Sequence, residues 1–296
     1  MRRFFILCAG LAFFGLALFW TLTRPDQSAP DRLADLVGDA DRGAVVFAAG
    51  GCASCHAAPN TEGDAKTILA GGLPFGTEFG TFYAPNISPD PNTGIGGWSV
   101  TDLADAMQHG VSPDGDHYYP AFPYASYIHA SDQDIADLSA FLSTLPASQT
   151  PNRDHEVAFP FNIRRGLGLW KLMFVQSEWV VQQTDTPELI RGRYLVEGLG
   201  HCAECHTPRN ALGGLDRTQW LQGAPSPDGK GKIPALTPDA LDWSAKDITY
   251  YLETGFTPDF DSAGGEMVDV IENMSKLPET DRDAIAAYLK ALPSGS

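Results

Sequence analysis

Cys52 and Cys55 are followed at once by His56, and Cys202 and Cys205 by His206. Cysteines three apart on a helical turn point to the same side, so both thiols can reach the two vinyl groups of one haem. The His that follows then faces the iron as proximal ligand. Two such motifs predict two covalently bound haem c groups. A dithiol redox pair calls for a βαβ pattern, which the chain lacks. A zinc site would gather both motifs into one compact domain.

The second axial ligand decides whether an iron carries electrons or binds small molecules. In the second half, Met267 follows Gly264-Gly265, where backbone without side chains can run close to a macrocycle. A thioether there would raise the potential and close the iron to ligands; Met274 is the second candidate. In the first half, Met107 lies in a helical stretch and reads as core. The remaining candidates are His109, His117 and His129, around the loop 118–124. If a His ligates, that haem has the lower potential of the two. If none does, it is five-coordinate and open to peroxide or another small molecule. Arg191, Arg193 and Arg209 flank the second motif and are candidate partners for haem propionates.

The elements that must position these residues occur twice. DRGAVVFAAGGCASCHAAPN (41–60) matches IRGRYLVEGLGHCAECHTPRN (190–210). Ile87-Ser88-Pro89-Asp90 with Trp98, Ser99 and Asp102 matches Leu236-Thr237-Pro238-Asp239 with Trp243, Ser244 and Asp247. DIADLSAFLSTLP (134–146) matches DRDAIAAYLKALP (281–293), each an amphipathic helix ended by Pro. Ile135, Leu138, Phe141 and Leu142 share one face, as do Ile285, Tyr288 and Leu289. Strand signals are weak throughout, so the reading is all-α. It divides into an anchor (1–24), linker (25–38), first haem domain (39–147), connector (148–186) and second haem domain (187–296). The haems are expected about one domain apart. The connector, with its run of apolar residues and Trp170 and Trp179, reads as an ordered strap between cores, or else a docking patch.

Phe4 to Leu22 carries no charge and follows Arg2 and Arg3. As a helix it spans roughly 28 Å, close to the thickness of a bilayer's hydrocarbon. The leading arginines predict a single-pass anchor in the cytoplasmic membrane, with the haem domains exported. The bulky residues 19–24 offer no site for cleavage as a signal peptide, and Leu7 before Cys8 is too large for a lipidation signal. Residues 1–24 hold three of the 20 Lys and Arg and none of the 37 Asp and Glu, so the remainder carries −20. Such acidity excludes nucleic acid as a partner.

The assembled segments resemble a family of membrane-anchored dihaem c-type cytochromes related to the cytochrome subunits of periplasmic alcohol, sugar and aldehyde dehydrogenases. The resemblance rests on NISPDPNTGIGGWS (86–99), GDHYYPAFPY (115–124), GHCAECHTPRNALGGL (200–215) and Gly265-Glu266-Met267, and covers about residues 40–293. It implies two tandem cytochrome c-like domains and an axial role for Met267. In the first domain the family places a Met either where Phe122 stands or where Ala130 stands. This chain has neither, which favours neighbouring His129 as distal ligand of the first haem over His117, a residue that accompanies the loop even when Met ligates.

The function expected is the carriage of single electrons, with no bond chemistry on a substrate. The implied route runs from a periplasmic dehydrogenase or a quinol-oxidising complex to a terminal oxidase. The alternative is a dihaem peroxidase using an open first haem. A thiosulfate-oxidising cytochrome, which uses a Cys ligand, is disfavoured because Cys8 in the anchor is the only spare cysteine. A structural subunit with inert haems is the third reading.

Overall fold

The apolar residues ahead of each Cys pair fold as a helix, and each such helix is crossed by the last helix of its domain. The computed structural model describes residues 1–226 and 231–293. It opens with α1 (Arg2–Leu22), none of whose side chains is buried and which is long and apolar enough to cross a membrane. The first haem domain contains α2 (Ala40–Ala49), α3 (Cys52–His56), β1 (Pro74–Thr77), β2 (Gly80–Tyr83), α4 (Val100–Ala104), α5 (Tyr124–Tyr127) and α6 (Asp132–Leu142). The connector supplies β3 (Glu156–Val157) and α7 (Leu167–Phe174). The second comprises α8 (Pro187–Arg193), α9 (Ala203–His206), β4 (Ala224–Pro225), β5 (Lys232–Ile233), α10 (Ala245–Thr254), α11 (Met267–Met274) and α12 (Glu279–Ala291).

The repeat has a physical meaning in each place it was found. The Arg-Gly pairs let helices touch: a Cβ on Gly43 would sit 2.0 Å from the carbonyl oxygen of Asp137 on α6, and one on Gly192 2.0 Å from that of Ala284 on α12. Ser99 with Asp102, and Ser244 with Asp247, form capping boxes that start α4 and α10, each satisfying otherwise orphaned N–H groups. Ile135, Leu138 and Leu142 are buried on α6, and Ile285, Tyr288 and Leu289 on α12. Phe141 meets Phe47 of α2 with ring centroids 5.1 Å apart.

The fold is helical but not purely so. β1, β2 and β3 form an antiparallel sheet, with Gly80 opposite Val157 and Thr81 opposite Glu156, and β4 pairs with β5. Gly80, at φ 137°, lies so close to β3 that a Cβ there would meet the Glu156 carbonyl oxygen at 2.3 Å. The connector is thus stitched into the first domain as a strand.

One buried core runs through both haem domains. Tyr194 donates to Asp134 at 2.5 Å, and Lys66 pairs with Asp269 at 2.8 Å and with Glu272 at 2.5 Å.

Candidate haem-binding sites

Each attachment motif is entered through a left-handed residue, Gly51 at φ 60° and His201 at φ 38°. That turn reverses the chain so that the Cys pair starts a new short helix, α3 or α9. A non-glycine residue rarely adopts this conformation. His201 is held in it by a bond from its Nδ1 to the Leu199 carbonyl (2.9 Å) and by the Tyr127 ring, 5.5 Å away.

Within the motifs the four thiols are free. Burial pushes Cys52 and Cys202 up to about 12 and Cys55 up to about 11, and raises Cys205 as well. Burial disfavours the thiolate form in both pairs, so neither has the depressed pKa of a reactive dithiol. Free, partly accessible thiols off one helical turn fit thioether attachment to a macrocycle.

The two histidines are set alike. His56 Nδ1 donates to the Pro85 carbonyl at 2.8 Å, and His206 Nδ1 donates to the Pro234 carbonyl at 2.7 Å. Burial lowers both pKa values, keeping the rings neutral. A neutral ring that donates from Nδ1 keeps its Nε2 lone pair for a metal, the usual device for orienting an imidazole ligand. The prolines extend the repeat, since Pro85-x-Ile87-Ser88-Pro89-Asp90 matches Pro234-x-Leu236-Thr237-Pro238-Asp239. The backbone repeats too: Gly71 N–H donates to the His56 carbonyl (2.7 Å), and Gly223 N–H to that of His206 (2.8 Å). Residue chemistry alone did not point to Pro85 and Pro234, whose backbone carbonyls act here; the repeat did contain the signal.

Met267 opens α11 and is partly buried against the core, while Met274 is fully inside it. Gly265 before it takes φ 57°. Isolated bridges pair Val111 with His117 and Phe256 with Ser262, the same spacing in both domains. Five residues past each bridge stand Phe122 and Met267. Phe122 therefore occupies, in the first domain, the place Met267 holds in the second, and it packs on Tyr127. Met107 is buried in the core.

His129, His117 and His109 differ in their surroundings. His129 lies flat on Trp179 of the connector, ring centroids 3.8 Å apart and 14° between planes. Its ring faces a cavity lined also by Trp170, Glu197, Arg217 and Trp220. Burial there, with the Arg217 and Arg193 charges, lowers its pKa to about 4. His117 has both ring nitrogens in use: Nε2 donates to the Thr23 carbonyl (2.9 Å) and Nδ1 accepts from Lys171 (3.0 Å). His109 lies near Asp26.

The three arginines each have a protein partner. Arg191 makes a two-pronged pair with Asp281 of α12 (2.8 and 2.6 Å), Arg193 donates to the Val181 carbonyl and stacks over Trp179, and Arg209 pairs with Glu204. The carboxylates and carbonyls that claim them are distant in sequence or in turns.

The motifs are not a domain apart. Asn273 of α11 donates to Ser54 Oγ, inside the first motif, at 2.7 Å. A Cβ on Gly51 would lie 4.0 Å from His201 Cε1. The negative charge of Glu266 raises both Cys55 and Cys205, so the residue before Met267 sits electrically between the motifs.

The cytochrome c family model matches residues 40–146 and 191–293, one copy around each motif. The chain belongs to the cytochrome c family. A diheme cytochrome c-type protein of Cereibacter sphaeroides is 58% identical over 99% of both chains. The gluconate 2-dehydrogenase cytochrome c subunit of Pantoea cypripedii is 38% identical over 85% of this chain, and the fructose dehydrogenase cytochrome subunit of Gluconobacter japonicus 36% over 86%. The chain spans 59% and 52% of the lengths of those two subunits. This cytochrome therefore has two cytochrome c domains and binds two haem c groups covalently. Its relatives include cytochrome subunits of dehydrogenases.

Proposed function

We propose that Cys52 and Cys55 hold one haem with His56 as its proximal ligand, and Cys202 and Cys205 the other with His206, and that Met267 is the distal ligand of the second. The matched Nδ1 bonds of His56 and His206 to proline carbonyls carry this reading, because they leave Nε2 of each ring unprotonated and fixed in direction. Bound haem supplies one-electron ferric–ferrous chemistry. The residues around it orient the imidazoles, exclude water with a shared apolar core and bring the motifs together for transfer between them. The chain then carries single electrons on the periplasmic side of the cytoplasmic membrane, held there by α1. It runs between a dehydrogenase or quinol-oxidising complex and a terminal oxidase, as an electron carrier and not a catalyst. Membranes from a strain lacking the chain should lose oxygen uptake driven by one class of dehydrogenase substrate, and the purified cytochrome should restore it; unaltered uptake would contradict the assignment.

A second reading concerns the first haem. His129 is pinned on Trp179, His117 is spent on Thr23 and Lys171, and Phe122 stands at the position of Met267. These placements favour a first haem whose sixth position takes an external small ligand, the peroxidase-like alternative, over one closed by His129. A high-spin ferric fraction that binds cyanide supports it; fully low-spin spectra would return the position to His129.

A further inference from the structure

The end of α1 is built into the connector. Thr23 is fully buried, and a Cβ on Gly168 of α7 would lie 2.6 Å from the Thr23 Cα, so the two backbones touch. Arg165 donates to Thr23 Oγ1 (2.9 Å) and to the Trp20 carbonyl (2.5 Å), and its guanidinium stacks 4.2 Å over the Trp20 ring. From the other side, His117 donates to the Thr23 carbonyl, while Lys171 on the inner face of α7 binds the carbonyls of His109 (2.6 Å) and Gly110 (2.7 Å). The span and α7 are therefore fixed relative to each other.

The outer face of α7 is apolar and uncovered. Leu169, Leu172 and Met173 lie on the helix side next to Gly168, with Leu172 62% exposed. The turn before it adds Phe159 (78% exposed), Phe161 and Ile163. Between these two groups in sequence stand Arg164 and Arg165, in a chain of net −17. A patch of this kind on a free surface marks an interaction site. Here it lies within a turn or two of Trp20, at the very end of the membrane span, the level at which aromatic and cationic side chains settle in a bilayer interface.

We infer that the segment 159–174 is a second membrane contact, its apolar face lying in the headgroup–acyl boundary of the leaflet where α1 emerges. This rests on α1 spanning the bilayer. The contact holds the haem domains in one orientation over the membrane instead of leaving them on a swivelling tether.

Lipid photolabelling of the full-length, haem-loaded protein tests this. It is reconstituted into vesicles of phosphatidylethanolamine and phosphatidylglycerol carrying a diazirine lipid, irradiated and mapped by peptide. Label on both 1–24 and 159–174 is expected. A Leu172→Asp/Met173→Asp variant should lose the second label and keep the first, with haem spectra unchanged. Label on 1–24 alone overturns the second contact while leaving the anchor. Absence of label on both regions overturns the anchor and this inference together. An unlabelled 159–174 in a protein that runs as a dimer in detergent assigns the face to a second copy, which also overturns it.

Discussion

At the scale of single residues, the asymmetry proposed between the two haems comes down to Phe122 and Met267. Both stand five residues beyond the same backbone bridge, one as an aromatic packed on Tyr127 and one as a thioether at the head of α11. Met267→Ala should lower one midpoint on the order of 0.1 V or more and open that haem to cyanide, because axial ligands dominate haem potentials. Redox titration of the variant checks this, and an unmoved midpoint would refute the ligand. The converse change, Phe122→Met, should raise the other midpoint and add a second sulfur-to-iron charge-transfer band in the near infrared. The sequence showed the attachment residues because their chemistry is local. It did not show the neighbours of His129, His117 and Arg191, because Trp179, Thr23, Lys171 and Asp281 are brought in by folding and not by spacing.

Among elements, the decisive contacts are the crossings of α2 with α6 and α8 with α12. Gly192→Val should overpack the second crossing, costing about 1–3 kcal/mol. In a cooperative unit that spans both domains this lowers the melting temperature by about 2–4 °C per kcal/mol, which calorimetry would show. In the first crossing Asp137, almost wholly buried on α6, accepts from Arg42 Nε (2.7 Å) and from the Asp39 N–H (2.8 Å). The Arg42 bond is the main cause that holds its carboxyl below the usual carboxylate range. With the folded pKa depressed, its contribution to stability is present above the ordinary Asp pKa and is lost as pH falls through the folded value. Asp137→Asn should therefore lower stability near neutral pH and flatten the acid limb of the stability curve; an unchanged acid limb would remove this pair from the account. Helices were legible here because apolar spacing and the Ser–Asp capping boxes are written within a few residues. The sheet was not, since β3 is two residues long and meets β2 more than 70 positions away.

For the whole molecule, the two domains are joined by a polar clamp over a shared core. Lys66 meets Asp269 and Glu272, two residues on the helix that starts at Met267, and Asn273 of the same helix reaches Ser54 in the first motif. Lys66→Glu should set like charges against each other there. It should split the thermal unfolding into two transitions and slow electron equilibration between haems; a single unchanged transition would mean the core alone joins the domains. Because the part beyond residue 24 carries −20, its docking to a basic redox partner should weaken as salt rises. The most direct test of the account is a potentiometric titration of the intact protein followed by visible and near-infrared spectra. Two haem c groups with separate midpoints are expected, only the higher-potential one showing the sulfur-to-iron band and losing it in Met267→Ala. Two equivalent Met-ligated haems, or a band that survives Met267→Ala, would contradict it.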